Sequence, residues 1–122
     1  MNIKLSQLVN SVQVLNKIFN SDKLPVTDAY RLSKSINKIQ DELQNFDKFR
    51  IELIKKYGQE TGDGNYQVKP EFEDDFKKGM DELLNTEVEI GLNPVTLESL
   101  SKVNLSAIEL SLIDYLIEEQ KV

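Results

Sequence analysis

The chain is 122 residues long, carries 15 Lys or Arg against 21 Asp or Glu for a net charge of −6, and contains no His, Cys or Trp. Without His and Cys there is no imidazole base, no thiol nucleophile, no disulfide framework, and neither of the usual zinc and copper ligands. An apolar share of 39% beside a charged share of 30% suits helices that bury one stripe and wet the opposite face.

One domain over residues 1–122 is expected at this length. No apolar run approaches the roughly 18 residues that cross a bilayer, and Met1-Asn2-Ile3-Lys4-Leu5-Ser6-Gln7 is too polar for a signal peptide. The absence of Cys suits a reducing compartment, so a cytoplasmic location away from membranes is expected. Charge is uneven. Residues 1–58 carry ten basic and six acidic side chains (+4), and residues 59–122 carry five and fifteen (−10). The two halves are expected to attract each other within the fold, +4 along a long helix being a weak basic patch.

The first predicted helix runs from Leu5 to about Asn20, its seam formed by Leu5, Leu8, Val12, Leu15 and Phe19 with Val9 and Ile18 beside it. Ser21-Asp22-Lys23-Leu24-Pro25 breaks it, and Thr27 or Asp28 can cap the next turn. The second helix is the dominant element. From Ala29 its seam is Leu32, Ile36, Ile39, Leu43, Phe46, Arg50, Leu53 and Tyr57, in steps of three and four. Lys38–Glu42, Lys48–Glu52 and Glu52–Lys56 stand four apart on its outer surface. Gly58 is expected to end it in the left-handed conformation.

Residues 59–65 read as a turn, and Tyr66-Gln67-Val68 as a short strand. Pro70 opens a third helix with Glu71, Glu73, Asp74 and Asp75 at its positive end and Phe72, Phe76, Met80 and Leu83 or Leu84 on its buried face. It should run antiparallel to the second helix and set its carboxylates against basic side chains. After Thr86 the apolar period becomes two, through Val88, Ile90 and Leu92 and then Val95 and Leu97. A small β-hairpin near residues 87–99 is expected, turned at Asn93-Pro94. Ser106-Ala107-Ile108-Glu109 is a capping box, with Leu105 and Leu110 as its staple. It opens a last helix whose apolar face is Leu112, Ile113, Leu116 and Ile117.

Three features could carry chemistry. Gly62-Asp63-Gly64-Asn65 resembles a calcium loop, but counting from Asp63 the sixth position is Val68 where an EF-hand needs Gly, so an ordinary turn is read there. The run Glu71, Glu73, Asp74, Asp75 could hold magnesium, yet a dipole-complementing first turn explains all four, and no metal or cofactor is expected. Arg50 is the one charge in the long seam. Either it pairs there, or its stem covers apolar surface while its head reaches water, and the second reading is preferred. No phosphate loop, nucleophile elbow or RNA-binding aromatic motif is present, so nucleic acid is not an expected partner.

Leu24-Pro25-Val26, Ile54-Lys55-Lys56-Tyr57-Gly58, Asp63-Gly64-Asn65-Tyr66, Leu83-Leu84-Asn85-Thr86-Glu87-Val88 and Leu105-Ser106 together resemble an uncharacterised family of small proteins encoded by phages and prophages of Gram-positive bacteria. The resemblance runs over nearly the whole chain. Its motifs are structural punctuation, so it implies a phage or prophage origin and supplies no catalytic residue.

The expected fold is mainly α with a small β-hairpin (α+β), an antiparallel helical core built on one long coiled-coil-like helix. About 31 helical residues span roughly 46 Å, against a diameter of about 35 Å for a globule of this size. The long helix should therefore overhang by about two turns with its seam bare, and self-association is the simplest cover. The expected function is that of a non-enzymatic phage accessory protein in the host cytoplasm, binding itself and a phage or host protein. The alternative is a counter-defence protein that sequesters a small signalling molecule or blocks an immune effector. A pocket between subunits lined by Arg31, Lys34, Arg50 or Tyr57 would serve that purpose.

Overall fold

The computed structural model describes residues 2–118. The polar end from residue 119 onward, expected to follow the last apolar face, lies outside the described residues. The fold is mainly α with two small antiparallel strand pairs. The chain opens with β1 (Asn2–Lys4) and α1 (Leu5–Phe19). Lys4 N–H donates to the Gln7 side chain at 3.0 Å, satisfying one of the donors left free at a helix start. The buried face of α1 is Leu5, Leu8, Ser11, Val14, Leu15 and Ile18. The expected seam through Val12 and Phe19 is corrected here. At 3.6 residues per turn the stripe rotates away from a strict heptad, so the last turn buries Ile18 and leaves Phe19 outside.

The long helix α2 (Val26–Tyr57, 32 residues) starts directly after Pro25. Neither Thr27 nor Asp28 caps it; Asp28 accepts a hydrogen bond from the Ser99 hydroxyl instead. Leu32, Ser35, Ile36, Ile39 and Phe46 are buried, and beyond Phe46 the seam residues Arg50, Leu53 and Tyr57 are half-buried. The chain covers that half itself. α3 (Glu73–Leu84), entered through a 3₁₀ turn at Pro70–Phe72, runs back along it. Phe72 lies 6.0 Å from Tyr57, ring to ring, and Gly79 lies against Leu53. The seam is thus shared with α3 and not left bare, which removes the simplest ground for an overhang. The acidic first turn of α3 makes no ion pair with α2 among the described residues.

The hairpin lies elsewhere than expected. β2 (Gly58–Gly62) and β3 (Asn65–Val68) pair antiparallel across Asp63-Gly64, with an irregular register between Glu60 and Gly62. Both turn residues have positive φ, 52° and 78°. That is the mirror-image turn whose twist matches a hairpin, and Asp-Gly is one of its preferred pairs. Gly58 is extended at φ −108° and ψ 171°, not left-handed. What demands glycine there is space, because a Cβ would stand 2.2 Å from the Ile54 carbonyl oxygen.

Residues 87–99 form no hairpin. β4 (Glu87–Glu89) pairs antiparallel with β1, Ile3 opposite Val88. The alternation through Val88 and Ile90 marks a strand with a wet face, but its partner is the chain start. Asn93-Pro94 does not reverse the chain onto β4. The segment instead follows α2, where the Lys38 ammonium donates to the Gly91 carbonyl at 2.7 Å and the Asn93 N–H donates to the buried Ser35 hydroxyl at 2.9 Å. Val95 then bridges in parallel to Ile117, donating to the Leu116 carbonyl and accepting from the Glu118 N–H, each at 2.8 Å. Leu97 opens the short α4 (Leu97–Leu100), whose start Thr96 caps by accepting from Ser99 N–H at 3.1 Å.

The capping box of α5 (Ala107–Leu112) forms as its spacing dictates. Ser106 N–H donates to the Glu109 carboxylate at 3.0 Å, and Glu109 N–H donates to the Ser106 hydroxyl at 3.1 Å. The Ser106 amide, followed by Lys17 at 3.0 Å, holds the Glu109 carboxyl below its ordinary pKa. This Lys17–Glu109 pair joins the basic half to the acidic half. The helix is shorter than its apolar pattern suggests and passes into a 3₁₀ turn over Asp114–Leu116. Ile113 and Leu116 close one continuous core reaching back to Ile3 and Leu5. Among the described residues, no helix is long and apolar enough to cross a membrane.

Candidate protein-binding groove

α2 carries aromatic residues three apart at Phe46 and Phe49, so both stand on one edge of the helix. Phe46 points into the core, whereas Phe49 is 58% exposed. Between that edge and the neighbouring elements lies an apolar groove of about 270 Å³. Its walls are Leu5 of α1, Leu83 of α3, and Thr86 and Val88 at β4, with Glu42 and Asn45 on the α2 side. The Leu5 N–H donates to the Thr86 carbonyl at 3.0 Å, and the Thr86 hydroxyl to the Glu82 carbonyl at 2.9 Å, so the floor is fixed by backbone. The volume falls below the roughly 300–1,000 Å³ of small-molecule sites. The chemistry is that of a slot for apolar side chains.

A larger cleft of about 500 Å³ lies between the start of α1 and residues 114–118, lined by Asn2, Gln7, Pro94, Asp114, Tyr115 and Glu118 among others. Its polar groups are engaged or solvated. Ser11, buried in α1, donates its hydroxyl hydrogen to the Leu8 carbonyl at 2.9 Å. The 2.6 Å contact between the Ser11 and Tyr115 oxygens therefore uses the Tyr115 hydrogen. Burial raises the Tyr115 pKa above its ordinary value. A raised tyrosine pKa means stability that is complete below the unfolded value of about 10 and lost as pH rises through the folded one. Tyr115→Phe should cost about 1 kcal/mol at neutral pH. It should also remove part of the stability loss seen in thermal melts as pH rises above about 10.

The four positions singled out for ligand contact are not brought together. Arg31 and Lys34 are exposed on the first half of α2, with the Lys34 ammonium 4.8 Å from the Tyr30 ring centre. Arg50 lies nineteen residues beyond Arg31 on the same helix, about 28 Å away. Tyr57 packs on Phe72, and the Lys56 ammonium sits 5.2 Å from its ring centre. Arg50 neither buries its charge nor reaches α3; its Nε donates to Asp47 of its own helix at 3.2 Å, with 41% of the side chain exposed. An exposed pair of this kind contributes little. Arg50→Leu should therefore raise stability by about 0.5 kcal/mol in thermal denaturation, the added apolar contact outweighing a pair worth about 0.3 kcal/mol. A loss above about 1 kcal/mol would show that the charge has a buried role.

The acidic run of α3 gathers no group of three carboxylates able to hold a metal ion among the described residues. The groove itself was missed from the sequence. The available signal was Phe49, an aromatic residue off the heptad seam in an otherwise polar stripe. No protein-family model, curated protein or solved structure matches the chain.

Proposed function

We propose that the chain is a non-enzymatic phage or prophage accessory protein that acts in the host cytoplasm by binding another protein, of phage or host origin, through the Phe46–Phe49 groove. The observation that carries this is the exposed Phe49 beside a slot whose walls are almost wholly apolar. Large aromatics at the edge of such slots are typical anchors of protein interfaces. The lack of His and Cys points the same way. The phage origin rests on the residues that carry the resemblance. They sit where elements begin and end: Pro25 before α2, Gly58 after it, Asp63-Gly64 in the hairpin turn, Asn85-Thr86 after α3, and Ser106 before α5.

The test is Phe49→Ser. A partner captured from phage-infected host cells and reconstituted from purified components should bind the variant at least about tenfold more weakly, some 1.4 kcal/mol. Melting should change by less than about 2 °C, because Phe49 lies largely outside the core. Equal binding by the two proteins would overturn the groove as the site.

A further inference from the structure

We propose that a second copy of this chain occupies the groove, its α2 lying antiparallel across a two-fold axis at Asn45. This rests on the reading of the groove as a protein-binding surface and names the occupant. Lys38, Glu42, Asn45, Phe49 and Glu52 follow one another in steps of four and three, the spacing that lets one helix pack along another. The stripe lies open: Glu42 is half-buried and the other four are exposed. Three of its members, Glu42, Asn45 and Phe49, also line the groove, so a helix laid on the stripe covers the slot.

Charge sets the direction. With the axis at Asn45, Lys38 faces the partner's Glu52 and Glu42 faces the partner's Lys48. Symmetry repeats each pair on the other side. A parallel alignment instead sets Lys38 against the partner's Lys38 and Glu42 against the partner's Glu42, which repels. Within the chain, Asp41, Glu42, Lys48 and Glu52 form no ion pair among the described residues. One antiparallel pair opposes the arrangement, Lys34 against the partner's Lys56. Both ammonium groups are exposed at the rim, where solvent and salt weaken the repulsion and long side chains can turn apart. Phe49 stands four residues from Asn45, about 6 Å along the helix. The two-fold therefore carries each Phe49 level with Asp41 of the partner subunit, beside the Glu42 that lines the groove. An aromatic centre within a charged rim is the usual anatomy of an interface.

The chain has no Cys, so Asn45→Cys supplies a single thiol. Two helices packed about 10 Å apart bring facing Cα atoms to about 5 Å, inside the range a disulfide spans. Three results are expected. The wild type should run as a dimer by light scattering at micromolar concentration and dissociate more readily in high salt. Mild oxidation should convert N45C to a covalent dimer of twice the 14.0 kDa chain mass. E52C alone should stay uncrosslinked, yet link to K38C when the two are mixed. Glu42→Lys should weaken the dimer at least about tenfold, and adding Lys48→Glu should restore it. A wild type that stays monomeric at about 100 μM, a Kd range weaker than roughly −5 kcal/mol, overturns the proposal. E52C linking to itself as fast as N45C overturns the antiparallel register. If either happens while Phe49→Ser still abolishes binding of another protein, self-pairing falls and the protein-binding reading stands. If the wild type dimerises as described but no other protein depends on Phe49, the groove serves self-assembly alone.

Discussion

Gly58→Ala is expected to be the most damaging single-methyl addition in the described chain, costing about 3 kcal/mol and lowering the melting temperature by roughly 10 °C. The reason is not conformational freedom, since φ −108° with ψ 171° is extended backbone open to any residue. The methyl carbon would stand 2.2 Å from the Ile54 carbonyl oxygen and 3.1 Å from that of Gln67. Both obstacles are backbone, one in the last turn of α2 and one in β3, so neither yields by a rotamer change. The chain must leave the helix within one residue and enter the hairpin, and only a residue without Cβ lets the strand start so close to the helix end. Gly79→Ala is the internal comparison. Its new carbon meets the Leu53 Cδ2 at 3.1 Å, a side-chain tip that can move a few tenths of an ångström. Replacing a mid-helix glycine also recovers about 0.5–1 kcal/mol of backbone entropy. Gly79→Ala should melt within about 2 °C of the wild type. If the two variants melt alike, the close approach at Gly58 is not a constraint on the fold.

The contrast between these glycines shows where the sequence was legible. α1, α2 and α3 were readable because each repeats an apolar step over several turns, and the α5 start because four consecutive residues spell a complete capping box. Pairing partners were not readable. Val88 and Ile90 alternate as a strand does, but nothing local says that β4 pairs with Asn2–Lys4, more than eighty residues earlier, and not with Val95 nearby. Asp63-Gly64 did carry a hairpin signal, masked because Gln59, Glu60 and Thr61 before it are polar. β2 is exposed almost throughout, so it shows no alternation of buried and wet residues. The groove was hidden for a related reason. One side of it is α2, but the facing residues Leu5, Leu83, Thr86 and Val88 come from distant parts of the chain, and no single stretch contains it. Arg50 was singled out for its place in the seam. Its neighbour Phe49, off the seam and therefore outside the core, forms part of the surface.

Leu116→Ala should cost about 3 kcal/mol, comparable with the loss at Gly58, although Leu116 lies two residues from the end of the described chain. α5 has six residues, far below the roughly 12–15 at which an isolated helix becomes marginally stable. Its capping box satisfies donors but cannot hold it in place, and the Lys17–Glu109 pair is partly exposed. What anchors the segment is burial: Ile113 and Leu116 are each 1% exposed. Leu116 is also fixed by its backbone, its carbonyl accepting from Val95 N–H while Glu118 N–H donates to the Val95 carbonyl. Truncating the side chain leaves those bonds their geometry but removes the apolar weight that holds them together. Two readouts should follow in one variant. Thermal melting should fall by roughly 10 °C, and amide exchange at Val95 should accelerate as the parallel bridge opens. Ser106→Ala, which removes the cap and leaves the core intact, should cost only about 1 kcal/mol and leave Val95 protected. Equal losses from the two substitutions would mean that capping, and not the burial of Ile113 and Leu116, holds the C-terminal segment on α1.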